Sequence, residues 1–388
     1  MDQVKGPLVP ASEEGKLSLS CGMVVDSLKR MPKACYSDLS LLGVCVCHGP
    51  QKRTLEDDRE LFAEAPESLT RLRDFVGIEA RWLAPKGITT LDLGEQAARR
   101  LMDQGAVDPA SLDGVIFVTQ TPDHFQPSNA NLLHGRLGLS KEALAFDVNQ
   151  GCSGWIYGLY LACSLLQSGG CERILLLAGD TVTQRIHPRD RALRPLFSDA
   201  CAATIVEKKP GAGPWWFDLY SDGTGHEAIK IPAGAHRWWG EEECALETVD
   251  EEGSVRSPND LRMDGLAVFN FTLREEPPAL RRLAELAQRE LSEADALVLH
   301  QANRFILENL AKRLKVPLEK VPRETLRAFG NQSSASIPAV LCHELGARLQ
   351  QEPLFLFCSG FGVGLSWGGM AGSVGPLSFS EIFGFQMP

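Results

Sequence analysis

The chain has 388 residues, 44% of them hydrophobic and 23% charged, so it can bury a large core and belongs with globular rather than disordered proteins. Its 39 Lys and Arg against 50 Asp and Glu leave a net charge of −11, which excludes binding to nucleic acid chiefly through phosphates. The 11 cysteines are odd in number and lack paired spacing, which points to thiols in a cytoplasmic protein rather than a disulfide framework.

Residues 1–38 mix Gly, Pro, Ser and charge without sustained periodicity and are expected to be an extension that packs poorly, with Met31 as an alternative start. No apolar stretch at the N-terminus resembles a secretory signal, and no run of about 18 apolar residues could span a bilayer, so no membrane association is expected. The first predicted strand covers residues 41–47. It runs into Cys45-Val46-Cys47-His48, which has metal-ligand residue types but no second ligand pair at zinc-like spacing, so no metal is expected there. Further strands are predicted at 114–119, 173–178, 296–299 and 354–358. Most are apolar on successive residues, the pattern of strands covered on both faces, and they alternate with helical patterns as in an α/β protein.

The chain also repeats itself. Asp113-Gly114-Val115-Ile116-Phe117-Val118-Thr119-Gln120 resembles Asp295-Ala296-Leu297-Val298-Leu299-His300-Gln301, at an offset of 182 residues. At the same offset, Asn149-Gln150-Gly151-Cys152-Ser153-Gly154 resembles Asn331-Gln332-Ser333-Ser334-Ala335-Ser336, and 174–179 matches 354–360 about 180 residues on. Three matches in one order predict two related halves, 39–208 and 209–388. If these pack around a pseudo-twofold axis, Cys152, His300 and Asn331 meet.

Cys152 precedes a segment, 155–167, that is apolar on nearly every face and reads as a buried helix stopped by Gly169-Gly170. At such an N-terminus the helix dipole and free backbone N–H groups favour the thiolate. The other reading is an inert core cysteine, which suits the remaining ten. His300 closes an apolar strand, where α/β folds place their sites; a satisfied core histidine is the alternative, and His124, His134, His187, His226, His236 and His343 are placed in that class. Asn331 lies in a loop leading into a helix and could serve only as turn chemistry. The alternate glycines of 359–368 let backbone N–H groups approach a ligand, as an oxyanion hole requires, or simply make a tight turn.

Together these segments resemble the thiolase superfamily, and within it the β-ketoacyl-acyl-carrier-protein synthase III family. The matching stretches are 147–158, Leu196-Phe197-Ser198-Asp199-Ala200-Cys201-Ala202, His300-Gln301-Ala302-Asn303, 330–338 and 361–368, spread over about residues 40–370 in the family's order. The resemblance implies a five-layered αβαβα fold of two pseudo-duplicated halves, usually a homodimer. It also implies no permanently bound cofactor, with acyl-CoA or acyl-carrier-protein thioesters as substrates. Carried over by position, Cys152 is the acylated nucleophile, and His300 and Asn331 assist loss of carbon dioxide from malonyl-carrier protein. Backbone N–H groups of Cys152 and Val363 form the other oxyanion hole, and Trp155 and Phe361 are expected along the substrate path.

Departures from the family carry information. Arg71 and Phe75 stand where acetyl-CoA-using members have a Trp and an Arg that hold the adenine, and only Arg191 keeps a cofactor-contact position; this favours an acyl group delivered on a carrier protein or by another route. Gln126 precedes Pro127 where members commonly have an apolar residue lent to the partner subunit's acyl pocket, which predicts a polar acyl substituent, a water or another side chain facing it. Arg304, Lys312, Arg313 and Lys315 on the helix after His300 form either a docking site for an acidic carrier near the tunnel mouth or a solvated face. Two further functions remain open. One is acyl transfer from Cys152 to a hydroxyl, amine or non-malonyl carbon; the other, against which the intact Cys-His-Asn set speaks, is a silent subunit of a heterodimer.

Overall fold

The computed structural model describes residues 33–63, 66–105 and 107–387. The chain first forms β1 (Lys33–Tyr36), β2 (Leu39–His48), and the antiparallel pair β3 (Gln51–Thr54) and β4 (Ala80–Leu83), separated by α1 (Pro66–Val76). Then come α2 (Thr90–Gly105), β5 (Gly114–Val118), α3 (Asn129–Leu137), β6 (Leu144–Val148), α4 (Gly154–Gln167), β7 (Arg173–Asp180), β8 (Ala200–Lys208) and β9 (Trp215–Ser221). Short antiparallel ribbons follow, β10 (Ile229–Lys230) with β13 (Arg262–Met263) and β11 (Thr248–Val249) with β12 (Val255–Arg256). The chain ends with α5 (Gly265–Ala287), β14 (Ala296–Leu299), α6 (Arg304–Leu314), α7 (Glu324–Phe329), α8 (Ser336–His343), α9 (Gly346–Leu349), β15 (Leu354–Gly362), β16 (Ser366–Val374) and β17 (Phe379–Gly384).

The strands make two large sheets, one ordered β17-β2-β8-β7-β5-β6 and the other β1-β9-β16-β15-β14. The repeat is visible in the pairing. β5 runs parallel to β7, which is antiparallel to β8, just as β14 runs parallel to β15, which is antiparallel to β16. Side-chain alternation then assigns each residue a face. Ile116 and Val118 of β5 point into the space between the sheets with Val298 of β14, whereas Phe117 and Leu297 point to the outer faces.

Helices α4 and α8 fill the space between the sheets. Helix α4 can do so because it is apolar almost all round, with Trp155, Ile156, Leu159 and Cys163 buried together in one core with Ile337, Val340 and Leu341 of α8. Helices α2 and α3 cover the outer face of the first sheet, through Leu91, Leu101 and Leu133 against Phe117 and Leu175. Helices α5 and α6 cover the second, through Leu280, Leu283, Leu307 and Leu310 against Leu297 and Phe357. The result is five layers, α-β-α-β-α. Each fully buried side chain of this size contributes about 1.5–3 kcal/mol, so truncating Phe117 to Ala is expected to cost about 3–5 kcal/mol.

The structure corrects the extension boundary expected at residue 38. Lys33–Tyr36 pairs with 215–218 as the edge of the second sheet, because Ala34 and Tyr36 alternate onto the central core and the Tyr36 hydroxyl reaches Ser164 Oγ at 2.6 Å. Residues 1–32, Met31 included, lie outside the described residues. The C-terminal β17 completes the first sheet by lying parallel to β2, so each sheet takes an edge strand from the far end of the chain. Nine described cysteines are free thiols, but Cys35, half-buried on edge strand β1, is disulfide-bonded, so the expectation of thiols throughout fails there. Among the described residues no helix is long and apolar enough to cross a membrane.

Candidate active site

Cys152 sits in the turn between β6 and α4, two residues before the helix begins. Its neighbour Ser153 does not cap the helix with its side chain; its hydroxyl pairs with Ser366 Oγ at 2.8 Å, and Ser366 Oγ donates to the Val363 carbonyl at 2.7 Å. The turn that carries Cys152 is thereby tied to the turn joining β15 and β16. Contact between them needs glycine: a Cβ on Gly360 would lie 2.8 Å from Ser153 Cα, and one on Gly362, at φ +156, would lie 2.8 Å from Cys152 Sγ. The backbone can therefore lie directly against the sulfur.

Three donors face the half-buried thiol: the backbone N–H groups of Val363 and of Cys152 itself, and the Ser333 hydroxyl. They favour the thiolate, but burial, reinforced by the nearby Asp180 carboxylate, outweighs them and pushes the thiol up to about 11. The helix N-terminus alone, as read from the sequence, does not decide the protonation state. Asp180 ends β7 and is itself buried. It accepts from Gln120 N–H at 2.7 Å, Thr119 Oγ1 at 3.2 Å and Ser334 Oγ at 3.3 Å, and burial raises its carboxyl above the usual range.

His300 follows β14, its N–H donating to the Ser359 carbonyl at 2.8 Å, and its ring packs edge-on to Phe361 with centroids 5.4 Å apart at 86°. Only 2% of the residue is exposed. Burial pushes the imidazole down to about 3, against an opposing hydrogen bond to the Ser333 backbone, so the ring is held neutral at ordinary pH and carries a single N–H. Its Nδ1 has no partner among the described residues.

Asn331 is pinned by its backbone, with N–H to the Leu196 carbonyl at 3.0 Å and its carbonyl taking Ser198 N–H at 2.9 Å. Its Oδ1 accepts Ser333 N–H at 3.0 Å, an arrangement made possible by the left-handed φ of 49° at Ser333. With the oxygen so engaged, the Nδ2 donors are the part of the amide left for a ligand.

Cys152, His300, Asn331, Phe361 and Val363 all line one cavity of about 1080 Å³. This is at the upper end of the range for small-molecule sites and has space for a thioester arm together with an acyl chain. The walls are mostly apolar, and the rim carries the exposed Phe75, Phe305 and Leu266. Phe75 stacks on Phe305 with centroids 4.5 Å apart, and Phe305 on Phe269 at 5.3 Å. A thiol, an imidazole, a side-chain amide and a backbone N–H thus converge on one cavity.

Other expected site residues fall less neatly. Trp155 is a core residue, not a substrate contact: it is 1% exposed, does not line the cavity, and donates from Nε1 to Thr204 Oγ1 at 3.1 Å. The all-round apolar character of α4 sends its first large side chain into the middle layer. Gln126 is exposed and absent from the cavity wall of its own chain. Arg191 does line the cavity, and its guanidinium donates to the Glu252 carbonyl at 3.3 Å. For Arg71 only the backbone, within α1, is described.

Of the four basic residues, Arg304 adjoins the cavity residues Asn303 and Phe305, whereas Lys312, Arg313 and Lys315 lie at the other end of α6. A rise of 1.5 Å per residue puts that end about 15 Å from the mouth. Arg313 is in part structural, donating to the Leu273 carbonyl at 2.9 Å. Cys45 and Cys47 are buried on β2, the His48 ring packs on Trp82, and no group of three metal-ligating side chains occurs among the described residues. Sequence reasoning missed Gln120, Asp180 and Ser333. The first two carry the same signal that singled out His300, a polar residue at the end of an apolar strand.

Family models match two stretches of the chain: 3-oxoacyl-[acyl-carrier-protein (ACP)] synthase III over residues 146–223 and its C-terminal domain over 284–373. These contain Cys152 and both His300 and Asn331. A solved structure described as 3-oxoacyl-(acyl-carrier protein) synthase from Burkholderia xenovorans LB400 is 34% identical, with a TM-score of 0.85, covering 91% of this chain and 99% of its own. The beta-ketoacyl-[acyl-carrier-protein] synthase III of Clostridium perfringens is 30% identical over 319 residues, which is 82% of this chain and 94% of the relative. The priming beta-ketosynthase from the R1128 polyketide biosynthetic pathway is 27% identical with a TM-score of 0.70, covering 88% of this chain and 97% of that one. With its five-layered fold and a cavity lined by Cys152, His300 and Asn331, the chain belongs to the 3-oxoacyl-[acyl-carrier-protein] synthase III family of condensing acyltransferases.

Proposed function

We propose that Cys152, His300 and Asn331 carry out a two-stage decarboxylative condensation. In the first stage the Cys152 thiolate attacks the carbonyl of an acyl thioester. The tetrahedral oxyanion takes hydrogen bonds from the N–H groups of Cys152 and Val363, and its collapse expels the donor as its thiolate and leaves acyl-Cys152. In the second, the thioester oxygen of malonyl-carrier protein lies between the neutral His300 ring and Asn331 Nδ2. The bond to the carboxylate breaks, carbon dioxide leaves, and its electron pair moves into an enolate held by those two donors. The enolate carbon attacks acyl-Cys152, the C–S bond breaks, and a 3-oxoacyl-carrier product departs as the thiolate re-forms. One preorganised donor of this kind is worth about 10²–10³ in rate.

The observation that carries this reading is the convergence of the three side chains on one cavity, with Gly362 against the sulfur. A neutral histidine suits it, since stabilising an enolate needs a donor and not a base. Delivery of the acyl group on a carrier rather than on CoA is supported by the apolar Phe75 at the rim and by Arg191 being engaged with Glu252. The basic end of α6 would then serve as the carrier's docking surface, about 15 Å from the mouth and within reach of a flexible prosthetic arm. The working form would be a cytoplasmic homodimer with no permanently bound cofactor. Intact-protein mass spectrometry after exposure to a panel of acyl-CoA and acyl-carrier thioesters tests the first stage. An acyl adduct that disappears in Cys152→Ala is expected; an adduct that persists in that variant, or none from any donor, removes Cys152 as the nucleophile.

A further inference from the structure

One polar side chain near the thiol has no part in the two stages above. Gln120 follows β5, and its backbone is fixed by the 2.7 Å bond from its N–H to Asp180 Oδ1, an oxygen that also takes Thr119 Oγ1 at 3.2 Å. That anchor aims the side chain. A Cβ on Gly151 would lie 2.3 Å from Gln120 Oε1 and 2.4 Å from Val363 Cγ1, so the amide and the Val363 side chain crowd the same side of the residue before the nucleophile. Gln120 lines the cavity beside Cys152 and Val363 and is exposed to it. Its side chain makes no hydrogen bond among the described residues.

An amide offers two donors and an acceptor. The wall is mostly apolar, though Arg191, Glu252, Asn303 and Ser333 also line it; a plain acyl chain lying against Gln120 would strip water from that amide and give nothing back, whereas a chain bearing an oxygen would pair with it. Sites built to hydrogen-bond a substrate hydroxyl discriminate against the analogue lacking it far more strongly than apolar pockets discriminate by size. A carboxylate substituent is disfavoured by the Asp180 carboxyl directly behind Gln120. We propose that Gln120 is a specificity-determining residue that selects acyl groups carrying a hydroxyl or oxo oxygen on the first carbons beyond the thioester over plain chains of equal length. This rests on Cys152 being the acylated residue.

The test is a competition for Cys152 in one vessel. Hexanoyl-N-acetylcysteamine is mixed in equal amount with its 2-hydroxy or its 3-hydroxy analogue, and the adducts, which differ in mass by one oxygen, are read on the intact protein. Wild type should favour one of the hydroxylated donors by about tenfold or more, and Gln120→Leu should abolish or reverse that ratio. Gln120→Met serves as a second variant should the first fold poorly. A wild-type ratio near one for both analogues, or the wild-type ratio surviving in Gln120→Leu and Gln120→Met, overturns the selection while leaving acyl-Cys152 intact. No adduct from any of the three donors removes the acyl-Cys152 reading itself, and this inference with it.

Discussion

A methyl group added at Gly362 should block acylation without replacing any catalytic side chain. Its carbon would lie 2.8 Å from Cys152 Sγ and 2.9 Å from Cys152 Cβ, whereas non-bonded carbon contacts are optimal at about 3.5–4.0 Å, so thiol or strand must yield by about 1 Å. A misplacement of that size at a reacting atom costs about 10²-fold in rate. The φ of +156 adds backbone strain of roughly 1–3 kcal/mol for any residue with a Cβ. Gly87→Ala separates the two effects, since Gly87 also has a positive φ, of +99, but nothing lies within 4 Å of its Cβ position. Rapid-quench mass spectrometry of the acyl adduct, with a thermal melt on each variant, should show acylation falling about 10²-fold in Gly362→Ala and near wild type in Gly87→Ala, with both less stable. Acylation of Gly362→Ala at the wild-type rate would refute the close approach of that strand to the sulfur.

Asn331→Ala should lower carbon dioxide release from malonyl-carrier protein by about 10²–10³ while leaving Cys152 acylation within a few-fold of wild type; equal losses in both stages would assign Asn331 a structural role. Because burial holds the folded-state pKa of His300 near 3, below its unfolded value near 6.5, its contribution to stability is complete above about 6.5 and is lost as pH falls through the folded value. The decarboxylation step should therefore show no limb from His300 between pH of about 5.5 and 8, and a limb in that range that His300→Gln abolishes would contradict this. Glu276 is buried with Oε2 accepting Ser359 Oγ at 2.7 Å and Oε1 unpartnered among the described residues, and burial pushes its carboxyl up to about 8. A raised acid favours the fold below its unfolded pKa and loses that advantage as pH rises, so Glu276→Gln should melt higher than wild type at pH 8, with a gain of up to about 3 kcal/mol near neutrality that vanishes towards pH 4. A gain independent of pH would mean that ionisation is not the cause. Lys312→Glu combined with Arg313→Glu should raise the KM for carrier-bound substrate and leave that for a short pantetheine thioester unchanged; an unaltered carrier KM would remove the docking surface.

The strands covered on both faces were legible because apolar runs such as 114–118 and 296–299 need nothing but burial to identify them. The internal repeat went further, since it related strands far apart in the chain and so brought Cys152, His300 and Asn331 together without any knowledge of contacts. The edge strands β1 and β17 were not legible. Each is short and only half-buried, and each pairs with a strand whose position depends on the rest of the sheet. Trp155 was misplaced because an apolar helix next to a nucleophile offers no sequence signal for which of its faces meets the cavity. The thiol's protonation state could not be read either, since helix position is visible in the sequence but desolvation and the carboxylate of Asp180, brought in from β7, are not. The relevance of Gln120 depends on Gly151 and Val363 packing beside it, which only the folded chain reveals.

The most direct measurement starts from enzyme carrying a defined acyl group on Cys152 and adds malonyl-carrier protein labelled in its free carboxyl. Released carbon dioxide and 3-oxoacyl-carrier product are then counted against the acyl groups consumed. One of each per acyl-Cys152 is expected, with no product from Cys152→Ala. Loss of the acyl group to water or another acceptor without carbon dioxide, or undiminished product from Cys152→Ala, would contradict condensation at this cysteine.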